Sequence, residues 1–111
     1  MDLQISEVSG VTKAALAGRL DTAAVNGLEL RFSASLVPSG KSAIIDLSNV
    51  TFIASLGIRM LLSVARGLAG RGGRIALYGA NPAVLEIIET TAISEIIPVV
   101  ASETEAVAAV A

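Results

Sequence analysis

Ala43-Ile44-Ile45-Asp46-Leu47 is the stretch on which the fold turns. It is short and nearly continuously apolar, the pattern of a strand covered on both faces of a sheet. Asp46 falls near the C-terminal end of that strand, and Ser48 to Ala54 read as the loop that leaves it. At Ser55 the spacing becomes helical. Ile58, Leu61, Leu62, Ala65 and Leu68 form one stripe, with Arg59, Ser63 and Arg66 on the opposite side. Gly70-Arg71-Gly72-Gly73 closes the helix as a C-cap and turn, and Arg74 to Tyr78 is a further strand. A strand, a helix and a strand in this order make a parallel unit with a right-handed crossover. Ile44, Ile45 and Leu47 then belong in a central strand, with Leu61, Leu62 and Leu68 packed over it.

Upstream, Gln4 to Val8 and Thr12 to Ala17 read as two strands around the turn signal Ser9-Gly10, a hairpin. Gly18-Arg19-Leu20-Asp21 ends the second strand, and Asp21 is an N-cap for a helix over residues 22–37 with Val25, Leu28, Phe32 and Leu36 on its buried face. Pro38-Ser39-Gly40 stops that helix. Downstream, Asn81-Pro82 opens a helix that Leu85, Ile88 and Ala92 continue. Ile96 to Val100 is a short strand or extended segment, and Ser102-Glu103-Thr104-Glu105 matches a capping box that opens a last helix. The order β-β-α-β-α-β-α-(β)-α predicts an α/β fold: a mixed sheet of four or five strands, with helices packed mainly on one face. Residues 1–111 are expected to form one domain.

The composition narrows the chemistry. Apolar residues make up 53% of the 111-residue chain, but only Phe32, Phe52 and Tyr78 are aromatic, so the core is aliphatic. There is no cysteine and no histidine. Disulfides, thiol catalysis, thiolate metal sites and a Ser-His-Asp triad are therefore excluded, and the commonest general base is missing. A formal net charge of −2 gives no electrostatic footprint for nucleic acid. The apolar runs Met60–Leu62 and Ile96–Val100 fall far short of the ~20 residues that cross a bilayer, and no signal peptide precedes the first strand. The expectations are a cytoplasmic protein without membrane insertion, and a binding module rather than an enzyme.

Three polar features are candidates for function. The glycines at 70–73 close a helix instead of opening one after a strand, which is the wrong context for a dinucleotide fingerprint. Asp21 and Asp46 sit at strand ends, where α/β sheets place ligands; they read as a metal or acid–base pair, or more simply as a helix cap and a turn residue. Ser55 stands where a helix begins and reads as its N-cap. It is flanked by large apolar Ile53 and Leu56, and Gly57 admits a close backbone approach. A hydroxyl framed in this way is easily reached by a partner.

The stretch Asp46-Leu47-Ser48-Asn49-Val50-Thr51-Phe52-Ile53-Ala54-Ser55-Leu56-Gly57-Ile58 resembles the signature of the STAS family, which includes the bacterial anti-sigma factor antagonists. Leu16-Ala17-Gly18-Arg19-Leu20-Asp21 is similar to that family's second strand and its Gly-x-Leu-Asp ending. Gly73 before a strand and Asn81-Pro82-Ala83-Val84 before a helix match in place. The resemblance implies a STAS-like fold and an anti-sigma factor antagonist. It implies a partner that is both anti-sigma factor and serine kinase, phosphorylation at Ser55, and a serine phosphatase that resets the cycle. No cofactor of the chain's own is implied; ATP and Mg²⁺ belong to the kinase. Two positions depart from the pattern: Ala54 stands where the family usually has Asp, and Leu56 where a small residue is common.

The expected partner surface joins the segment 49–54, the start of the helix and Asp21, through Asp21, Asn49, Thr51, Ile53, Ala54, Leu56, Gly57 and Arg59. The alternatives are a STAS scaffold or regulatory subunit without phosphorylation, in a transporter or stress-signalling assembly, and a small-molecule or nucleotide binder near Asp21 and Asp46.

Overall fold

A computed structural model describes residues 2–111. Its elements are β1 (Asp2–Val8), β2 (Val11–Leu20), α1 (Thr22–Leu36), β3 (Ala43–Ile53), α2 (Ser55–Ala69), β4 (Ile75–Tyr78), α3 (Pro82–Glu89), α4 (Ile93–Ile96), β5 (Val99–Val100) and α5 (Glu103–Val110). They build one five-stranded sheet in the order β1-β2-β3-β4-β5, in which β1 is antiparallel to β2 and all other neighbours are parallel. The hairpin turns through Ser9 and Gly10, both at positive φ (51° and 81°), the backbone of the two-residue turns whose twist matches the strands.

β3 is the middle strand, and its apolar run is continuous because both of its faces are covered. Ala43, Ile45 and Leu47 join Ala14, Leu16, Leu20, Ile75 and Leu77 in the main core, with the buried residues of α1 to α4. Ile44 points the other way, into a smaller cluster with Ala76, Tyr78, Ala106 and Val110 beneath α5. The helices thus lie mainly on one face, with α5 alone on the other. The capping box forms: the Ser102 hydroxyl accepts from the Glu105 N–H, and the Glu105 carboxylate accepts from the Ser102 N–H. Glu103 ties the start of α5 to the sheet, 2.8 Å from Lys13 Nζ and accepting a hydrogen bond from the Tyr78 hydroxyl at 3.2 Å. Burial, and then the charge of Asp46, push the pKa of the Tyr78 hydroxyl up to about 12.

Four expectations are corrected. First, residues 48–53 are not a loop. β3 continues to Ile53 and β2 to Leu20, paired through Ala17↔Asn49, Gly18↔Val50, Arg19↔Phe52 and Leu20↔Ile53. Register shifts between Ala15 and Ala17, and between Gly18 and Arg19, break the period of two, so the strand does not announce itself in the sequence. Second, Asp46 therefore lies within the strand. It pairs with Ala15, accepts hydrogen bonds from the N–H and hydroxyl of Ser48, and sits 3.9 Å from Lys13 Nζ.

Third, the buried stripe of α2 is wider than the spacing suggested. Met60 and Val64 are buried and Leu62 only half-buried, because α2 packs against α1 as well as the sheet. Fourth, α3 stops at Glu89 rather than running through Ala92. The Thr90 and Thr91 hydroxyls donate to the carbonyls of Ile87 and Ile88, supplying the partners that the end of a helix lacks. The one-turn α4 then precedes β5, which pairs at only two residues.

Candidate functional site

The junction of β3 and α2 is built without a gap. The Ala54 N–H donates to the Leu20 carbonyl at 2.8 Å, so pairing with β2 persists up to the residue before the helix. Ala54 has the extended conformation of an N-cap, and Ser55 is the first helical residue. The expectation that Ser55 caps the helix is thus corrected. The cap is a methyl group that accepts nothing, and no side chain replaces it. The Gly57 and Ile58 N–H groups instead both turn to the Ala54 carbonyl, at 2.9 and 3.1 Å. Ser55 is exposed, and its hydroxyl has no capping duty.

Gly57 explains why the start of α2 sits so close to the sheet. A Cβ at this position would stand 3.0 Å from Ile53 Cγ1 and 3.4 Å from the Leu20 carbonyl oxygen. The glycine lets the first turn of α2 rest on the ends of β2 and β3. The backbone that approaches Gly57 is therefore the chain's own, not a partner's.

A groove of about 570 Å³ opens beside Ser55. Phe52, Ala54, Ser55, Ile58 and Arg59 form one wall, and Ile87, Thr90 and Thr91 at the end of α3 form the other. Asn81 sets that second wall. Its carbonyl oxygen caps α3 by accepting from the Val84 N–H at 2.9 Å, while its amide donates to the Val50 carbonyl at 3.1 Å, pinning the helix to β3. At the neighbouring strand end the Arg19 guanidinium lies 4.5 Å from the centroid of the Phe52 ring and 3.9 Å from Asp21. Asp21 caps α1 by accepting from the Ala24 N–H at 2.9 Å, as expected.

The expected surface residues divide into three groups. Ser55 and Arg59 are exposed along the groove, with Ala54 half-buried between strand and helix. Gly57 and the half-buried Leu56 pack inward and support the surface from beneath, and the buried Ile53 reaches the groove only at its floor. Asn49 pairs with Ala17 and lines a shallow hollow with Gln4 and Ala15, on the sheet face away from α1 and α2. Thr51 is exposed on β3. Asp21 and Asp46 are not brought together: Asp46 pairs with Ala15, six residues back along β2 from Asp21, roughly 20 Å at about 3.3 Å per residue. Phe52 belongs to the expected segment 49–54, and sequence reasoning missed Ile87, Thr90 and Thr91. Nothing local marks the end of α3 as a neighbour of Ser55.

The uncapped helix carries a direct prediction. Ala54 already has N-cap geometry, so Ala54→Asp should raise stability by about 0.5–2 kcal/mol by accepting from a first-turn N–H. Urea unfolding of the two proteins measures this, and no gain would show that the aspartate does not reach those groups.

An α/β module with an exposed hydroxyl at a strand–helix junction is the class that fold and site define. The STAS domain family model matches residues 2–106, and the chain belongs to that family. BtrV of Bordetella bronchiseptica, named for anti-sigma factor antagonism, is 30% identical over 109 residues, covering 98% of this chain and 94% of that protein. An anti-sigma factor antagonist from Mycobacterium paratuberculosis superposes with a TM-score of 0.87 at 25% identity, covering 98% of this chain and 92% of that one. Bacillus SpoIIAA, an anti-sigma factor antagonist in its unphosphorylated form, shares the fold at a TM-score of 0.78 and 23% identity, covering 96% and 93% of the two chains. Among the described residues no helix is long and apolar enough to cross a membrane.

Proposed function

We propose that this chain is an anti-sigma factor antagonist that binds an anti-sigma factor through the surface around Ser55 and lets go when Ser55 is phosphorylated. The observation that carries the reading is the exposed Ser55 hydroxyl, free of capping duty, at the edge of a groove walled by Ile58 and Ile87 and bearing Arg59. A groove of this kind offers apolar contact and one cation to a docking protein. The reading is supported by the likeness to BtrV along nearly the whole chain.

The partner acts as the kinase. Its ATP supplies the phosphoryl group, Ser55 Oγ forms the new bond to phosphorus, ADP leaves, and the hydroxyl proton passes to a base on the partner. A serine phosphatase resets the cycle by hydrolysis. The chain's own part is to present the hydroxyl on a helix whose N-terminal dipole tolerates the added charge.

The test is incubation with the cognate anti-sigma factor and ATP, followed by mapping of phosphate to residues. Phosphate on Ser55 supports the reading; a chain that stays unmodified overturns it. Arg59→Glu reverses a charge at the rim of the docking surface. It is expected to weaken binding of the unmodified chain about tenfold or more while leaving the melting temperature close to wild type. Equal binding by both proteins would remove Arg59 from the surface.

Ala54, where the family usually has Asp, favours a second reading: a regulatory subunit of a larger assembly that docks through the same surface without modification. If the absent carboxylate matters to the transfer, Ala54→Asp speeds phosphorylation of Ser55.

A further inference from the structure

Lys13, Arg19 and Lys41 each lie within reach of a carboxylate, at 2.8, 3.9 and 3.1 Å, and the Arg31 guanidinium donates to the Leu3 carbonyl at 3.0 Å. Arg59, like Arg66, Arg71 and Arg74, has no acidic partner among the described residues, and of these four it is the one that lines the groove beside Ser55. It is exposed, and it lines the same groove as Ser55 four residues earlier on α2. Residues four apart on a helix stand one above the other, with Cβ atoms roughly 5–6 Å apart. Helical side chains lean toward the N-terminus, so Arg59 covers the turn that carries Ser55 rather than the turn beyond it. An anion N-terminal to a cation at this spacing is the favourable orientation for an ion pair.

From this geometry we infer that Arg59 serves two anions in turn: an acidic group of the docked partner while Ser55 is unmodified, and the phosphate on Ser55 once it is made. The inference rests on the reading of Ser55 as the modified residue and adds to it the means of release. Phosphorylation then acts twice on the interface. It places a charge of about −1.5 to −2 on the docking surface, and it withdraws the cation that the partner had been using. The rest of the groove does not compete for the guanidinium. Its other polar residues, Thr90 and Thr91, are neutral, and their hydroxyls donate to their own helix. Glu89 lines a different hollow, with Ser94 and Val100. Arg19, over Phe52 at the groove's edge, already has Asp21.

The experiment needs no kinase. Phosphoserine is incorporated at position 55 during translation, in the wild-type chain and in the Arg59→Gln and Arg59→Lys variants, and the second ionisation of the phosphate is followed by phosphorus NMR. A guanidinium beside the phosphate favours its dianion, so the wild-type value should lie below that of Arg59→Gln by about half a pH unit, with Arg59→Lys recovering part of the difference. Circular dichroism melts confirm that all three proteins are folded, and a merely structural role for Arg59 would not move the phosphate titration. The second measurement is the loss of anti-sigma factor affinity on phosphorylation, which should be several-fold smaller in Arg59→Gln than in wild type. Identical phosphate titrations in wild type and Arg59→Gln overturn the inference while leaving the proposed function intact. A kinase partner that leaves Ser55 unmodified overturns the proposed function, and the exchange of anions at Arg59 falls with it.

Discussion

Replacing Ser55 by Glu is expected to weaken binding to the anti-sigma factor by about two orders of magnitude or more, with a melting temperature close to wild type. The fold should survive because Ser55 is exposed and opens a helix, where partial positive charge meets the carboxylate. The interface should not survive, because docking would enclose the charge beside Ile58 and Ile87. A charge at position 55 is either enclosed unpaired or takes Arg59 away from the partner's acidic group; either costs several kcal/mol, and each 1.4 kcal/mol is about tenfold in affinity. Ser55→Ala keeps the surface neutral and should remain bound whether or not kinase and ATP are present. Calorimetric titration of wild type and both variants against the cognate anti-sigma factor measures the contrast. Wild-type affinity in Ser55→Glu would replace the switch with the reading of an unmodified docking subunit.

The second large effect is on stability. Leu61 is fully buried in the main core, on the face of α2 that packs over the sheet. Truncation to Ala removes its transfer energy and leaves a cavity that the aliphatic neighbours fill only in part, so Leu61→Ala should cost about 2–5 kcal/mol. In a domain of this size that corresponds to a fall in melting temperature of roughly 10 °C or more. Denaturant unfolding should show a lower midpoint with an unchanged slope. A loss below about 0.5 kcal/mol, the range of ordinary surface substitutions, would take Leu61 out of the core. The neighbouring Leu62 is the internal control: it is half-buried, and its truncation should cost less.

The two predictions differ in how much of them was legible before the fold. Leu61 could be placed from its spacing alone, since the stripe Ile58, Leu61, Ala65 and Leu68 has one helical solution. Asp21, Asn81 and Ser102 were readable as caps because a cap is a contact with the residue three positions on. The covered β3 was readable from a nearly unbroken apolar run. All of these are local signals, carried within one or two turns of chain, and they sufficed for the order of elements, the mixed sheet and the start of α2.

What the sequence could not determine by itself lies across the sheet. Ser48-Asn49 and Thr51 look like loop, yet β3 continues through them because β2 remains alongside, at the expense of two register shifts. Gly57 looked open to a visitor, but the backbone that approaches it belongs to Leu20. Ser55 looked like a cap, and only the pairing of Ala54 with Leu20 shows that the cap is one residue earlier, leaving the hydroxyl free. The wall of Ile87, Thr90 and Thr91 joins Ser55 because Asn81 anchors α3 to Val50 across 31 residues of sequence. Local spacing thus decided that a helix begins near Ser55. Tertiary contacts between distant segments decided which way its first turn is held and what stands opposite it, because those positions depend on strands and helices whose proximity no short stretch of chain encodes.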